Sequence, residues 1–215
     1  MSLLRRLGGR ERTGSPADLL AVGLGNPGED YAGSRHNVGA DAIEVLADRH
    51  GGRLKVGRER ARVAEVNISG LRLALAIPTT YMNESGVAVQ GLVRRYGIDD
   101  VQRLVIVQDE LDLDPGRMKI KIAGGLAGHN GLKSIKAHLD TAEFVRVRIG
   151  VGKPPRPEAG ANYVLKRVPK AERAELDLAI ERAADAVETI LADGAEAARN
   201  AHNSNPDPGQ NAADS

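Results

Sequence analysis

The eighteen residues VGLGNPGEDYAGSRHNVG, Val22 to Gly39, hold Asn26, Tyr31, Arg35, His36 and Asn37 directly after the apolar run LLAV. A neutral imidazole can take a proton from water near physiological pH, and a carboxylate on its other ring nitrogen fixes the tautomer and supports the imidazolium that forms. Of the five histidines (His36, His50, His129, His138 and His202), His36 is the one in this loop. Asp109, closing the apolar run RLVIVQ, is the carboxylate that suits it. Side-chain amides can hold a carbonyl and stabilise a developing oxyanion, which marks Asn26, Asn83 and Asn130 as candidates. Taken singly, Asn83 before ESGVAV and Asn130 at a helix start also read as caps. Only convergence on one place raises them above that.

Other chemistries find no support. Cysteine is absent, which excludes disulfides, thiolate nucleophiles and cysteine-based zinc sites. The chain has no H-x-H or H-E-x-x-H pair, so a zinc site is not expected. DELDLD, Asp109 to Asp114, runs into Pro115-Gly116 and lacks the calcium-loop pattern. No G-x-S-x-G elbow occurs, and covalent catalysis is not expected. Gly23, Gly25 and Gly28 do form a G-x-G-x-x-G, which on its own would point to a Rossmann oxidoreductase. That fingerprint needs a helix opening within the glycines, with its amides on a pyrophosphate. Here Pro27 removes an amide, and two more glycines delay the helix to about Val38. The acid required ~20 residues on would be Asp48, inside a helix. The loop is a catalytic candidate and not a nucleotide cradle.

Positioning these residues falls to an alternation of strands and helices. LLAVGLG and RLVIVQDE read as buried strands, and RVAEVNISGLRLALAIP as a hairpin turning at Ser69-Gly70. VGADAIEVLADRHGG, ESGVAVQGLVRRYG, HNGLKSIKAHL and KAERAELDLAIERAADAVETILADG have helical spacing. The expected fold class is therefore α/β, a single domain with a twisted, mostly parallel or mixed sheet flanked by helices. In such sheets ligands sit beyond the carboxyl ends of the strands. Asn26, Asn83 and Asp109 each follow or close a strand, so one edge could gather them. The domain is expected over residues 18–194, after a flexible arm at 1–17 and before a polar, disordered tail at 195–215.

At 215 residues, with 41% hydrophobic and 27% charged residues, the composition is that of a soluble globular chain. No apolar run approaches the roughly 20 residues of a membrane span, and the N-terminus lacks a secretory signal, so a cytoplasmic location is expected. Net charge is only +1, but Arg117 to Lys153 carries eight lysines and arginines against Asp140 and Glu143, a local charge of +6. RMKIKI and FVRVRIG place Arg117, Lys119 and Lys121, and Arg146 and Arg148, on one face of each strand. Such a face suits an anionic partner, although solvent exposure alone would explain it nearly as well. Aromatic residues make up 2%, so backbone and shape contacts to a folded RNA fit better than base stacking. AGGLAGHNG, Ala123 to Gly131, is a glycine-rich connection that could admit an anion or a bulky ligand.

VGLGNPGEDYAGSRHNVG, PTTYMNESG, DELDLDPGRMKIK, GGLAGHNGLKSI and FVRVRIGVGKP, in this order, resemble the bacterial-type peptidyl-tRNA hydrolase family over roughly residues 18–194. The resemblance implies an esterase that frees tRNA from a peptide joined to its 3′ ribose, acting as a monomer without a cofactor or a metal. By the family pattern His36 is the base and Asp109 its orienting partner. Asn26 and Asn83 hold the peptide part, Asn130 positions water or the carbonyl, and Tyr31 and Met82 line the cleft. His129 is expected to be a supporting wall residue. Lys119, Lys121, Lys133 and Arg148 are the choices for tRNA phosphates. Three features depart from the pattern. Gln108 stands where many members have His, Leu126-Ala127 interrupts a loop that is usually more glycine-rich, and the tail is acidic where relatives often end in a basic segment. The alternative is a non-catalytic RNA-binding member of the same fold, against which the intact His36 and Asp109 speak.

Overall fold

The computed structural model describes residues 15–154, 156 and 160–204, so most of the expected N-terminal arm lies outside the described residues. Strand β1 (Leu19–Gly23) is buried on both faces, as a run without polar alternation should be in a parallel sheet. It lies between β4 (Leu71–Pro78) and β5 (Leu104–Glu110), parallel to both. β7 (Val145–Gly150) continues the parallel set beside β5, and β6 (Met118–Ile122) closes that edge antiparallel to β7. On the other side β3 (Ala61–Ile68) forms the expected hairpin with β4, and the two-residue β2 (Lys55–Val56) ends the sheet. The order in this seven-stranded mixed sheet is β2-β3-β4-β1-β5-β7-β6.

Period-two alternation divides the core between the two faces. Leu19, Ala21, Val105, Val107, Val145 and Val147 face α1 (Val38–Arg49), α5 (Lys170–Asp193) and α6 (Ala195–Ser204). Leu20, Val22, Leu104 and Ile106 face α2 (Ser85–Arg95) and α3 (Asn130–Leu139). The short α4 (Gly160–Leu165) stands beyond the carboxyl ends of the strands. With α1 and α2 on opposite faces, the ends of β4, β1 and β5 form the switch point at which open α/β sheets bind ligands.

Gly23 of the G-x-G-x-x-G and Gly39 at the start of α1 serve close packing. A Cβ on Gly39 would sit 2.2 Å from the Val107 carbonyl oxygen, and one on Gly23 would sit 2.1 Å from that of Gly39. The start of α1 thus lies directly on the ends of β1 and β5, and the loop before it is pushed out over the sheet edge. Gly28, at φ +102°, makes the turn there.

Residues 195–204 of the expected tail are helical, and residues 205–215 lie outside the described residues. The helix is α6, whose Ala195 and Ala198 enter the core. Asn203 explains why a polar sequence docks. Its Oδ1 accepts the Ile120 amide at 2.9 Å and its Nδ2 donates to the Ile120 carbonyl at 2.8 Å, so one side chain substitutes for a neighbouring strand on the open edge of β6. No helix among the described residues is long and apolar enough to cross a membrane.

Candidate active site

Three neighbouring parallel strands deliver the polar groups. Asn26 follows β1, the 3-10 turn Met82–Glu84 follows β4, and Asp109 is the penultimate residue of β5. A second 3-10 turn, Arg35–Asn37, carries His36 over the same edge. They line a cleft of about 680 Å³ whose walls include Asn26, His36, Met82, Asn83, Asp109, His129 and Asn130. The sequence-level candidates for catalysis and substrate binding thus converge, with one exception. Tyr31 ends the turn Glu29–Tyr31, half-buried and outside the cleft wall. The loop that holds it turns away at Gly28, a backbone path that residue types alone do not reveal. The aromatic wall residue is Tyr81, which is 57% exposed at the cleft mouth.

Asp109 is the hub. Its Oδ1 accepts from His36 Nδ1 at 2.8 Å and from His129 Nε2 at 3.0 Å. Burial alone would push this carboxyl up, but the two imidazoles outweigh it and hold Asp109 below the usual carboxylate range, so it stays an anion. His129 has no tautomeric freedom. It caps α3, its Nδ1 accepting the amides of Gly131 at 3.1 Å and Leu132 at 3.4 Å, so its proton must lie on Nε2, facing Asp109. His36 likewise gives its Nδ1 proton to the carboxylate, which leaves the Nε2 lone pair for the cleft. This is the arrangement of a general base with its orienting anion. His129 is therefore more than a wall residue. His36, Asp109 and His129 are also the one group among the described residues whose ligand atoms lie close enough to share a metal ion. Their facing atoms, at 2.8 and 3.0 Å, are engaged in hydrogen bonds, and the remaining nitrogen of His129 is held by the helix cap.

Asn26 is held on three sides. Its amide donates to Asn37 Oδ1 at 2.8 Å, and its carbonyl accepts from Asn37 Nδ2 at 3.0 Å. Its own Oδ1 takes the Met82 amide at 2.8 Å. With the oxygen committed, Nδ2 is the group Asn26 offers to a ligand, a donor suited to a carbonyl. Asn37, the clamp, escapes sequence reasoning because it makes no contact with the cleft. Asn83 and Asn130 are exposed on the cleft wall. Gln108 lies buried in the inner wall, its side-chain oxygen without a hydrogen-bond partner.

The basic face divides differently from its sequence pattern. Lys119 and Lys121 of β6 pair in register with Arg148 and Arg146 of β7, on one face as expected. Arg146, however, is 2% exposed and donates to the carbonyls of Ala123, Gly124 and Gly125, pinning the glycine-rich loop from below. Arg148 is held by Glu110 Oε2 at 2.8 and 2.9 Å. Alternation identifies the face but not the loop folded over it. Lys119 and Lys121 are half-exposed, and Lys133 is exposed on α3.

The sequence matches the peptidyl-tRNA hydrolase family over residues 20–210. The chain belongs to this family. It is 48% identical over 196 residues to the peptidyl-tRNA hydrolase of Cutibacterium acnes, covering 86% of this chain and 98% of that protein. The Frankia alni peptidyl-tRNA hydrolase is 48% identical over 181 residues, 84% of this chain and 91% of its own. Among solved structures, the peptidyl-tRNA hydrolase of Acinetobacter baumannii superposes with a TM-score of 0.82 at 38% identity, covering 88% of this chain and 96% of that one.

Proposed function

We propose that this member of the peptidyl-tRNA hydrolase family cleaves the ester that joins a peptide, or an N-blocked amino acid, to the 3′ ribose of tRNA, with His36 as the general base. The observation that carries this reading is the orientation of His36. Its Nδ1 proton is committed to Asp109 at 2.8 Å, and its Nε2 faces a cleft lined by Asn26, Asn83 and Asn130. His36 Nε2 takes a proton from water as the oxygen attacks the ester carbon, and Asp109 supports the imidazolium. Negative charge builds on the carbonyl oxygen, where side-chain N–H groups such as Asn26 Nδ2 stabilise it. Collapse expels the ribose 3′ oxygen, which recovers the proton from His36. The products are the free acid and intact tRNA.

Lys119, Lys121 and Lys133, solvent-accessible on the basic face and α3, are the cations we assign to tRNA phosphates. Arg148, beside Lys119 and balanced by Glu110, adds less charge to that face. The enzyme acts in the cytoplasm as a monomer and without a cofactor. Incubating the purified protein with an N-blocked aminoacyl-tRNA tests the reading. Release of the blocked amino acid and free tRNA is expected. Tight binding with the ester left intact would favour the non-catalytic RNA-binding alternative.

A further inference from the structure

Arg35 immediately precedes the proposed base and is itself 5% exposed, deep enough that its charge must be compensated. Glu172, near the start of α5, supplies the ion pair. The flat guanidinium lies over the ring of Tyr163, 4.1 Å from its centroid. Tyr163 belongs to α4, and its hydroxyl donates to the Val151 carbonyl just past β7 at 2.8 Å. Two backbone links run alongside: a bridge between Ser34 and Arg167, and the Val168 amide on the Gly33 carbonyl at 2.9 Å. α4 in turn supplies Gly160, Val164 and Leu165 to the cleft wall.

We infer that Arg35 is a positioning residue for substrate capture: stacked on Tyr163, it holds the α4 wall in register with the turn that presents His36. Arg35 touches neither the cleft nor the reacting atoms. It acts by fixing the distance between the base and the apolar wall that packs against the acyl group. This rests on the proposed function. Without the stack, α4 samples positions in which the wall is not formed. Substrate must then select the competent fraction, so KM rises while kcat at saturation is retained.

The test is steady-state cleavage of an N-blocked aminoacyl-tRNA by Arg35→Lys, Tyr163→Leu, their double mutant and Tyr163→Phe. Arg35→Lys keeps the charge for Glu172 but loses the planar stack, and Tyr163→Leu removes the ring. Each is expected to raise KM roughly 2- to 30-fold, the range of a cation–π contact, with kcat within about 3-fold of wild type. The double mutant should be no worse than the poorer single, because both remove one contact. Tyr163→Phe keeps the ring and should restore a KM within about 3-fold of wild type. Unchanged KM in both single variants overturns the proposal, as does additivity in the double mutant or a fall in kcat and melting temperature with KM unmoved. Should Arg35→Lys fail to fold, Tyr163→Leu against Tyr163→Phe decides alone. If His36→Ala abolishes cleavage while these variants keep wild-type KM, the coupling fails and the proposed function stands. If wild type does not cleave at all, the proposed function fails first.

Discussion

Asp109→Asn separates charge from geometry in this site. In sites with a single histidine on the carboxylate, an amide can turn its NH2 toward the ring and force the unproductive tautomer, which costs ~10⁴-fold in a serine-protease triad. Here the second histidine prevents the turn. His129 keeps its proton on Nε2 because Nδ1 caps α3, and it presents that proton 3.0 Å from the same Oδ1 that His36 uses. The side-chain amide of the Asp109→Asn variant must therefore keep its oxygen between the two rings, and His36 retains its Nε2 lone pair. What is lost is the negative charge. An imidazolium–carboxylate pair becomes a hydrogen bond from imidazolium to a neutral amide oxygen, a loss of about 1–2 kcal/mol. That corresponds to a fall in kcat of roughly 5- to 30-fold. The assay is single-turnover cleavage of an N-blocked aminoacyl-tRNA, with tRNA affinity measured in parallel and expected unchanged. A loss above ~10³-fold would mean that the amide does turn and that His129 does not hold it. A loss under about 3-fold would mean that Asp109 does not support a developing charge.

Ala127 stands at φ +48° in the glycine-rich loop, a left-handed conformation that costs an alanine ~1–2 kcal/mol. Ala127→Gly should raise the melting temperature by about 2–4 °C, read by calorimetry, and an unchanged value would mean that the loop already relaxes that strain. Charge reversal at Lys119 and Lys121 should weaken tRNA binding and flatten its dependence on salt. A salt slope equal to wild type would leave those lysines as a solvated face. Burial pushes the Tyr96 hydroxyl up to about 12, while its proton is donated to Glu65 Oε1 at 3.2 Å. Because the folded pKa lies above the unfolded one, stability is complete below pH ~10 and is lost as pH rises toward ~12, by up to ~3 kcal/mol. Tyr96→Phe should remove that alkaline slope in urea titrations at a series of pH values. An unchanged slope would place its origin elsewhere.

Much of this architecture is legible in the residues. LLAV and RLVIVQ, apolar without alternation, fit strands buried on both faces, and the failed glycine fingerprint turns attention in the first loop from phosphate binding to its polar side chains. Asn26, Asn83, His36 and Asp109 can be singled out because strand ends are where such sheets bind, and that rule needs only the strand assignments. What stays hidden depends on paths through space. His129 reads as a wall residue because its two duties, capping α3 and donating to Asp109, need the loop and β5 side by side. Arg146 and Arg148 read as a basic face because period two specifies direction and not what folds over it. The docking of α6 on β6 includes one asparagine reaching a strand 83 residues earlier in the chain, a spacing that carries no local signal.

Whether His36 is the base of an ester hydrolysis is decided by cleavage of an N-blocked aminoacyl-tRNA, wild type beside His36→Ala, at near-physiological salt. The wild type should release free tRNA, and the variant should lose roughly 10²- to 10⁴-fold in rate with tRNA affinity and fold retained. A variant within a few-fold of wild type would mean that the proton leaves water by another route and that His36 is not the base.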